Sequence, residues 1–253
     1  MRKCAVFAAL LLALTLFGCS APAHTPTPTE TIPPNRYTPE DFVLEDGFLS
    51  CLAGETVLGI DVSRYQGEID WQQVKAAGVE FVMVRLGNRG ISKGTLHEDP
   101  NAKQNLQGAR AAGLKVGAYF YSQALNIQEA EEEAAFALEI LDGFRLDMPL
   151  AFDWEQESRT MEVDARTLTD CTLAFCETVT EAGYRPMIYF NSFQAQELLH
   201  LRELKEIPWW LAMYDVTMEF PYRMDMWQYS CTGTVAGISG SVDLNLLFKD
   251  GMI

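Results

Sequence analysis

From about Val57 onward, the sequence alternates between short apolar runs and longer amphipathic stretches, and this alternation restricts the fold more than any other feature. Strand-like runs cover residues 57–62, 81–86, 115–121, 149–154, 186–190, 209–214, 226–229 and 242–247. Helical patterns cover residues 71–77, 101–112, 127–141 and 165–182, and a glycine follows each of them, as expected just past a helix end. Strands that alternate with helices predict an α/β fold with a parallel sheet and right-handed crossovers.

About eight strands within roughly 200 residues predict one closed barrel. The last three runs are too close together for full helices between them. We therefore expect a single irregular (β/α) TIM-like barrel, with reduced helices in its C-terminal part, over residues 55–253. An open doubly wound sheet is the competing fold, but it needs a glycine-rich phosphate loop after its first strand, and Gly59 and Gly67 do not form one.

The N-terminus has the layout of a secretory signal, with Arg2 and Lys3 before an apolar run over residues 4–17. Leu16 and Gly18 lie three and one positions before Cys19, which resembles the bacterial lipobox; a plain secretory signal is the alternative. We expect a signal peptide over residues 1–18. Residues 19–54 would hold the lipidated Cys19, a Pro/Thr-rich tether and a lead-in to the barrel. The expected location is the outer face of the cell membrane, contacted only through the lipid.

Charge and residue counts exclude several classes of function. A formal net charge of −16 disfavours nucleic acid and a polybasic membrane patch. Three histidines and the absence of CxxC spacing leave no support for a metal site, and we expect no cofactor and a monomeric protein. Cys171 and Cys176 point about 140° apart on a predicted helix, so we interpret them as core residues. The disulfide state of these two, Cys51 and Cys231 stays open.

The strongest chemical signal is the end of the fourth predicted strand. Asp153 and Glu155 share one face of that strand, about 6.6 Å apart, while Phe152 and Trp154 take the other. Two carboxylates this close disfavour double ionisation, so one of them keeps a proton more easily. A neutral acid beside an ionised carboxylate is what glycosidic cleavage requires. An ion-paired strand end is the structural alternative.

Several further segments, in order along the chain, resemble one enzyme family. They are GIDVSRYQG (59–67), IDW (69–71), FVMVR (81–85), GAYFYSQA (117–124), DWE (153–155), WLAMY (210–214), WQYS (227–230) and VDLN (242–245). Together they resemble glycoside hydrolase family 25, the lysozymes of Chalaropsis type, over residues 58–248. The resemblance implies an irregular barrel that cleaves the β-1,4 bond between N-acetylmuramic acid and N-acetylglucosamine in peptidoglycan glycan strands.

The resemblance also implies roles for single residues. Glu155 matches the general acid and Asp153 its partner carboxylate. Two more acids, Asp61 and Asp243, match positions that line the cleft and orient substrate or water. Positions that contact sugar rings are matched by Tyr119, Tyr189, Tyr214 and Gln228.

Two reaction routes remain open at this stage. Either a carboxylate activates water for inversion, or the 2-acetamido group of the substrate attacks while Asp153 steadies the oxazolinium ion. We favour the second, because both sugars carry the acetamido group and the sequence offers no separate nucleophile. Alternatives of other kinds are a noncatalytic wall-binding lipoprotein and a glycosidase for another amino-sugar polymer such as chitin.

Four expectations concern the surroundings of the site. Arg85 is a fifth candidate substrate-binding residue. It lies inside an apolar strand and must meet a carboxylate; we expect that partner to be Asp61, with a structural pair beneath the cleft as the alternative. Trp154 and Trp209 should face the helices by strand parity. Residues 87–94 should form a mobile loop after the second strand. The acidic cluster at residues 129–133 should be a solvated face at a helix start.

Overall fold

The computed structural model describes residues 31–214 and 219–249, so the signal and lipobox calls, including Cys19, lie outside the described residues. The strands are β1 (Phe42–Glu45), β2 (Phe48–Cys51), β3 (Thr56–Val62), β4 (Phe81–Arg89), β5 (Leu96–Glu98), β6 (Lys115–Ser122), β7 (Leu150–Trp154), β8 (Pro186–Asn191), β9 (Trp209–Ala212), β10 (Met226–Gly233) and β11 (Val242–Phe248). The α-helices are α1 (Trp71–Ala76), α2 (Ala102–Ala111), α3 (Ile127–Leu141) and α4 (Ala165–Glu181).

Eight of these strands close into a barrel, as predicted. The order around the sheet is β3-β11-β10-β9-β8-β7-β6-β4, and pairing of β3 with β4 closes the ring. The expectation of an all-parallel sheet is wrong for β11, which runs antiparallel to both β10 and β3. The reason is local: a connection of only eight residues separates β10 from β11, too short for a parallel crossover.

The predicted mobile loop over residues 87–94 is also wrong in part. Strand β4 continues through Arg89 and pairs antiparallel with β5, so the segment belongs to a β-hairpin at the end of the barrel. Pairing of β4 with β3 ends at Val84, whereas pairing with β6 continues through Asn88 after a register shift between Arg85 and Gly87.

Local sequence signals fix where the helices begin and end. The Asp70 carboxylate accepts hydrogen bonds from the first backbone amides of α1, and Asn126 and Asp164 cap α3 and α4 in the same manner. Past the helix ends, Gly78 and Gly113 have φ values of 94° and 79°, which side chains with a Cβ rarely adopt.

The side chains of the barrel divide into an inner and an outer core. Met83, Met187, Trp210 and Leu247 pack inside the ring, below the cleft. The outer core lies between strands and helices and contains both tryptophans predicted to face outward, Trp154 and Trp209. Their indole N–H groups each donate to a backbone carbonyl at 3.0 Å, so the buried rings leave no polar atom unsatisfied.

The lead-in to the barrel is folded and packs on the ring. Strands β1 and β2 form a hairpin whose Phe42 packs against the Trp227 ring at 5.1 Å, on the outer face of β10. The backbone amide of Leu49 donates to the Tyr229 hydroxyl at 3.2 Å. The hairpin therefore covers the part of the barrel where the later strands lack helices.

The chain enters the domain at the end of the barrel where the parallel strands begin. The Asn35 amide donates to the Pro221 carbonyl at 3.0 Å, just before β10. The Tyr37 ring stacks on Phe248, the last residue of β11, with centroids 4.8 Å apart. This entry point lies opposite the carboxyl ends of the parallel strands.

The expectation of a solvated acidic face at the start of α3 is wrong in part. Glu131 and Glu132 are exposed, as expected. The Glu133 side chain, however, is fully buried, and its Oε1 accepts from Arg89 Nε at 2.7 Å. Glu129 is half-buried and pairs with Arg159 at 2.6 Å. Glu133 is buried because β4 brings Arg89 directly beneath the first turns of α3.

The four cysteines of the described residues form no disulfide. Cys171 and Cys176 are buried on α4, and these two, Cys51 and Cys231 are free thiols. Over the described ranges, no helix combines the length and apolar character needed to cross a bilayer. The same ranges contain no group of three or more His, Cys, Asp or Glu side chains arranged to hold a metal ion.

Candidate active site

One cavity of about 250 Å³ lies at the carboxyl ends of the parallel strands and collects the predicted site residues. It is lined by all four predicted acids and all five predicted binding residues: Asp61, Asp153, Glu155, Asp243, Tyr119, Tyr189, Tyr214, Gln228 and Arg85. Ser63, Tyr65, Gln66, Tyr121 and Trp210 complete the lining. The cavity is open to solvent, so a polymer can reach the acids.

Asp153 and Glu155 occupy different depths of the cavity. Asp153 is 5% exposed, while Glu155, one residue past β7, is half-buried at the mouth. Oδ1 of Asp153 is buried and has no hydrogen-bond donor among the described residues. The buried carboxylate thus has one oxygen available to a ligand that brings its own N–H or O–H.

Two buried glutamines hold the backbone that carries these acids. Gln194 Nε2 donates to the Trp154 carbonyl at 2.5 Å, and Gln123 Nε2 donates to the Glu155 carbonyl at 2.8 Å. The Thr160 hydroxyl adds a second bond to the Glu155 carbonyl at 3.2 Å. Backbone beyond the end of a strand lacks ladder partners, and here side chains from neighbouring elements replace them.

Asp61, on β3, is held by side-chain amides from β10 and β11. Gln228 Nε2 and Asn245 Nδ2 each donate to Asp61 Oδ2 at 2.8 Å. The Tyr189 and Tyr214 hydroxyls donate to Gln228 Oε1 at 2.9 and 2.8 Å. These bonds fix both the orientation of the Gln228 amide and the position of Asp61.

Trp210 extends the same network to the floor of the cavity. Its indole N–H donates to Asn245 Oδ1 at 2.8 Å, which turns the amide nitrogen toward Asp61. The Tyr119 and Tyr189 rings meet the Trp210 ring edge to face, with centroids 6.0 and 4.9 Å away. Motif reasoning did not indicate which way Trp210 faces. Strand parity predicts that it faces the cavity, because its neighbour Trp209 faces outward.

Burial raises the pKa of every acid in the cavity, and repulsion between charges raises it further for Asp61, Asp153 and Glu155. Burial is the largest cause for Asp153, followed by the charge of Glu155, and its pKa is well above the ordinary value. For Asp61, burial comes first and the charge of Asp243 second. Burial, then the charges of Glu157 and Asp243, raise the pKa of Glu155. The cluster therefore holds protons at a pH where isolated carboxyl groups have lost them.

The expected pair between Arg85 and Asp61 does not form. Arg85 Nε donates to Asp99 Oδ2 at 2.8 Å, and Asp99, between β5 and α2, is 1% exposed. The amides of Gln228 and Asn245 already occupy Asp61 Oδ2. Arg85 still lines the cavity, where its charge works against the rise in the pKa of Asp153.

A barrel that brings a carboxylate pair and two further acids to one open cavity defines a protein of the glycoside hydrolase class. Residues 60–238 match Glycosyl hydrolases family 25, and the chain belongs to that family. The predicted irregular barrel is confirmed as a mixed eight-stranded ring with few helices. The roles of the single residues stay predictions.

Similar proteins come from several bacteria. "Uncharacterized protein YegX" of Escherichia coli strain K12 is 32% identical over 203 residues, which cover 77% of this chain and 70% of YegX. "Autolytic lysozyme" of Clostridium acetobutylicum is 30% identical over 197 residues, covering 77% of this chain and 56% of that protein. The modular autolysin LytC from Streptococcus pneumoniae, solved with a synthetic peptidoglycan ligand, has a TM-score of 0.69 at 27% identity. That alignment covers 82% of this chain and 52% of LytC, so the chain spans about half of LytC.

Proposed function

We propose that this protein is a muramidase that hydrolyses the β-1,4 bond between N-acetylmuramic acid and N-acetylglucosamine in peptidoglycan. The observation that carries the proposal is the presence of Asp153 and Glu155 in one open cavity, the first deep and buried, the second at the mouth. Similarity to an autolytic lysozyme and to an autolysin solved with a peptidoglycan ligand supports the substrate class.

Glu155 is the general acid in this proposal. Its raised pKa keeps the proton available, and its place at the mouth suits an approach to the oxygen between two sugar rings. The proton passes to the glycosidic oxygen as the bond from that oxygen to C1 breaks. The hydrogen bonds from Gln123 and Thr160 to the Glu155 backbone hold the acid in place during this step.

Asp153 assists the attack on C1 in its ionised form, which the charge of Arg85 favours against burial and the charge of Glu155. Its free Oδ1 accepts the N–H of the 2-acetamido group, which orients the acetamido oxygen toward C1 and stabilises the positive charge that develops. The oxygen forms a bond to C1 as the leaving group departs, which gives an oxazolinium ion. Glu155, now ionised, takes a proton from water, and that water opens the ion with net retention.

We also propose that the protein is extracytoplasmic and attached to the membrane through a lipid on Cys19. Three features of the sequence support this proposal: the positive charges of Arg2 and Lys3, the apolar run over residues 4–17, and the lipobox-like residues before Cys19. The glycan strands are then the partner of the cavity, and the membrane is contacted by the anchor alone.

The test is digestion of purified cell walls, reduction of the new ends with borohydride, and mass spectrometry of the fragments. Muramitol at the new ends supports the proposal, whereas glucosaminitol means that the other glycosidic bond is cut. Glu155→Gln should abolish release while preserving the circular dichroism spectrum and the melting temperature. Wall binding without cleavage by the wild-type protein would favour a lectin. In a parallel digestion of chitin, release of chitooligosaccharides would favour a chitinase.

A further inference from the structure

A second cavity, of about 610 Å³, opens beside the catalytic one. Its outer side is the β4–β5 hairpin, which contributes Asn88, Ile91 and His97. Tyr65, Arg85 and Tyr121 line both cavities, so the two spaces adjoin along these side chains. A glycan held at the acids therefore has room for a substituent in this second space.

The two cavities differ in charge. Four carboxylates line the catalytic cavity, whereas the second has the guanidinium groups of Arg64 and Arg85 and one carboxylate, Glu157. In a chain with a net charge of −16, two neighbouring cations are unusual. The charge of Arg85 is compensated by Asp99, but Arg64 forms no ion pair within residues 31–214 and 219–249.

The buried Asp99 carboxylate holds the backbone of Arg64, and the exposed Arg64 guanidinium donates to the Tyr65 hydroxyl at 3.2 Å. The backbone amide of Arg64 donates to Asp99 Oδ2 at 3.1 Å, the same oxygen that accepts from Arg85. The Arg64 and Arg85 guanidinium carbons lie 5.0 and 5.1 Å from the Tyr65 ring centroid. Asp99 thus aligns two cations on one exposed aromatic ring.

We propose that this second cavity binds the peptide stem carried by the muramyl sugar, with a stem carboxylate paired to Arg64. The inference rests on the proposed function, because only a muramyl-containing glycan carries such a stem. A neutral sugar ring has no need of an unpaired cation, whereas a carboxylate forms a charge-assisted bond with one. The exposed Ile91 at the hairpin suits the apolar side chains of a peptide.

The experiment compares two substrates: soluble glycan strands with intact stems, and the same strands after the stem carboxylates are converted to amides. Wild-type protein should show kcat/KM about tenfold higher on the free carboxylates at low salt, with the preference shrinking as salt rises. Arg64→Gln should reduce the ratio to about one, and Arg64→Lys should keep most of it. Arg166→Gln, at an exposed arginine on α4 paired with Glu203, is the matched control and should leave the ratio unchanged.

Equal rates of the wild-type protein on both substrates would overturn the inference. So would an Arg64→Gln effect of the same size on both, since that result means that another sugar ring fills the space. Binding of both strands to Glu155→Gln provides a readout that needs no turnover. A wild-type protein that cleaves neither substrate refutes the muramidase proposal. The ratio of the affinities of Glu155→Gln for the two substrates still decides whether the second cavity binds the stem.

Discussion

Gln123→Met tests whether the side-chain clamp on the Glu155 backbone matters for catalysis. The Gln123 side chain is fully buried, and its Nε2 donates to the Ser122 carbonyl at 3.0 Å and to the Glu155 carbonyl at 2.8 Å. Methionine is unbranched and of similar length, so it fills the space without donating. The change therefore removes two hydrogen bonds and leaves the outer core packed.

The expected loss of stability is modest. Two hydrogen bonds contribute about 0.5–1.5 kcal/mol each, and removing Oε1, which has no partner among the described residues, offsets part of that loss. A net change of about 1 kcal/mol shifts the melting temperature by roughly 2–4 °C in a domain of this size. The expected effect on rate is larger, because a misplacement of about 1 Å costs on the order of a hundredfold. Since Thr160 still holds the Glu155 carbonyl, we expect kcat to fall about 10- to 100-fold with KM changed less than threefold.

The assay is the initial rate of reducing-end release from soluble glycan strands, with melting followed by circular dichroism. Tyr184→Phe is the control, because it removes one hydrogen bond, to the Phe144 carbonyl at 3.0 Å, at the opposite end of the barrel. It should lower the melting temperature comparably and leave kcat unchanged. A Gln123→Met protein with kcat within twofold of wild type, or a control that loses as much activity, would refute the reasoning.

Four further predictions use the acids and the anchor. Asp153→Asn should lower kcat by several orders of magnitude with little change in binding; a rise in KM alone would contradict its role. Because its pKa is raised, Glu155 keeps its proton at pH values above the ordinary pKa of a glutamate. We expect kcat to stay constant above that ordinary pKa and to fall as pH rises through the raised pKa of Glu155. A pH–rate profile with its basic limb at about 4.3 would contradict this. Folding raises the pKa of Asp153, so between its ordinary and its raised pKa the folded protein binds more protons than the unfolded protein. Wild type should therefore lose stability relative to Asp153→Asn as pH increases from about 4, which would appear as diverging urea midpoints. Midpoints of the two proteins that change in parallel with pH would count against this reasoning. Cys19→Ser should move the protein from the membrane fraction to the medium, and continued membrane association would contradict the anchor.

The parts of the fold that depend on local signals could be predicted from the sequence. Helix α3 has the predicted bounds, because an Asn cap starts it and a glycine follows its end. The strands that form the ring follow apolar runs closely. The extension of β4 through Arg89 could not be predicted, because Gly87 and Asn88 interrupt the apolar run and become strand by pairing with β5 on one side and β6 on the other. The β1–β2 hairpin was missed for a similar reason, since its partner surface lies near the other end of the chain.

The site was predictable where strand parity decides and unpredictable where loops contribute. Strand parity and the family resemblance predict that Asp61, Asp153, Tyr119 and Tyr189 line one cavity, and they do. Parity also placed Arg85 there, but its partner could not be inferred, because Asp99 lies on a connection outside any ring strand. Acids at strand ends alone predict Asp61 as the partner of Arg85, and that pair does not form.

The direction of β11 determines where Asp243 lies. Asp243 is the second residue of its strand, and in an all-parallel barrel the beginning of a strand lies at the end away from the active site. Because β11 runs antiparallel, its beginning lies at the cavity, and Asp243 pairs in register with Asp61 of β3. Asn245, two residues later on the same face, then reaches Asp61 Oδ2. The single reversed strand therefore supplies both the repulsion that raises the pKa of Asp61 and the amide that partly opposes it.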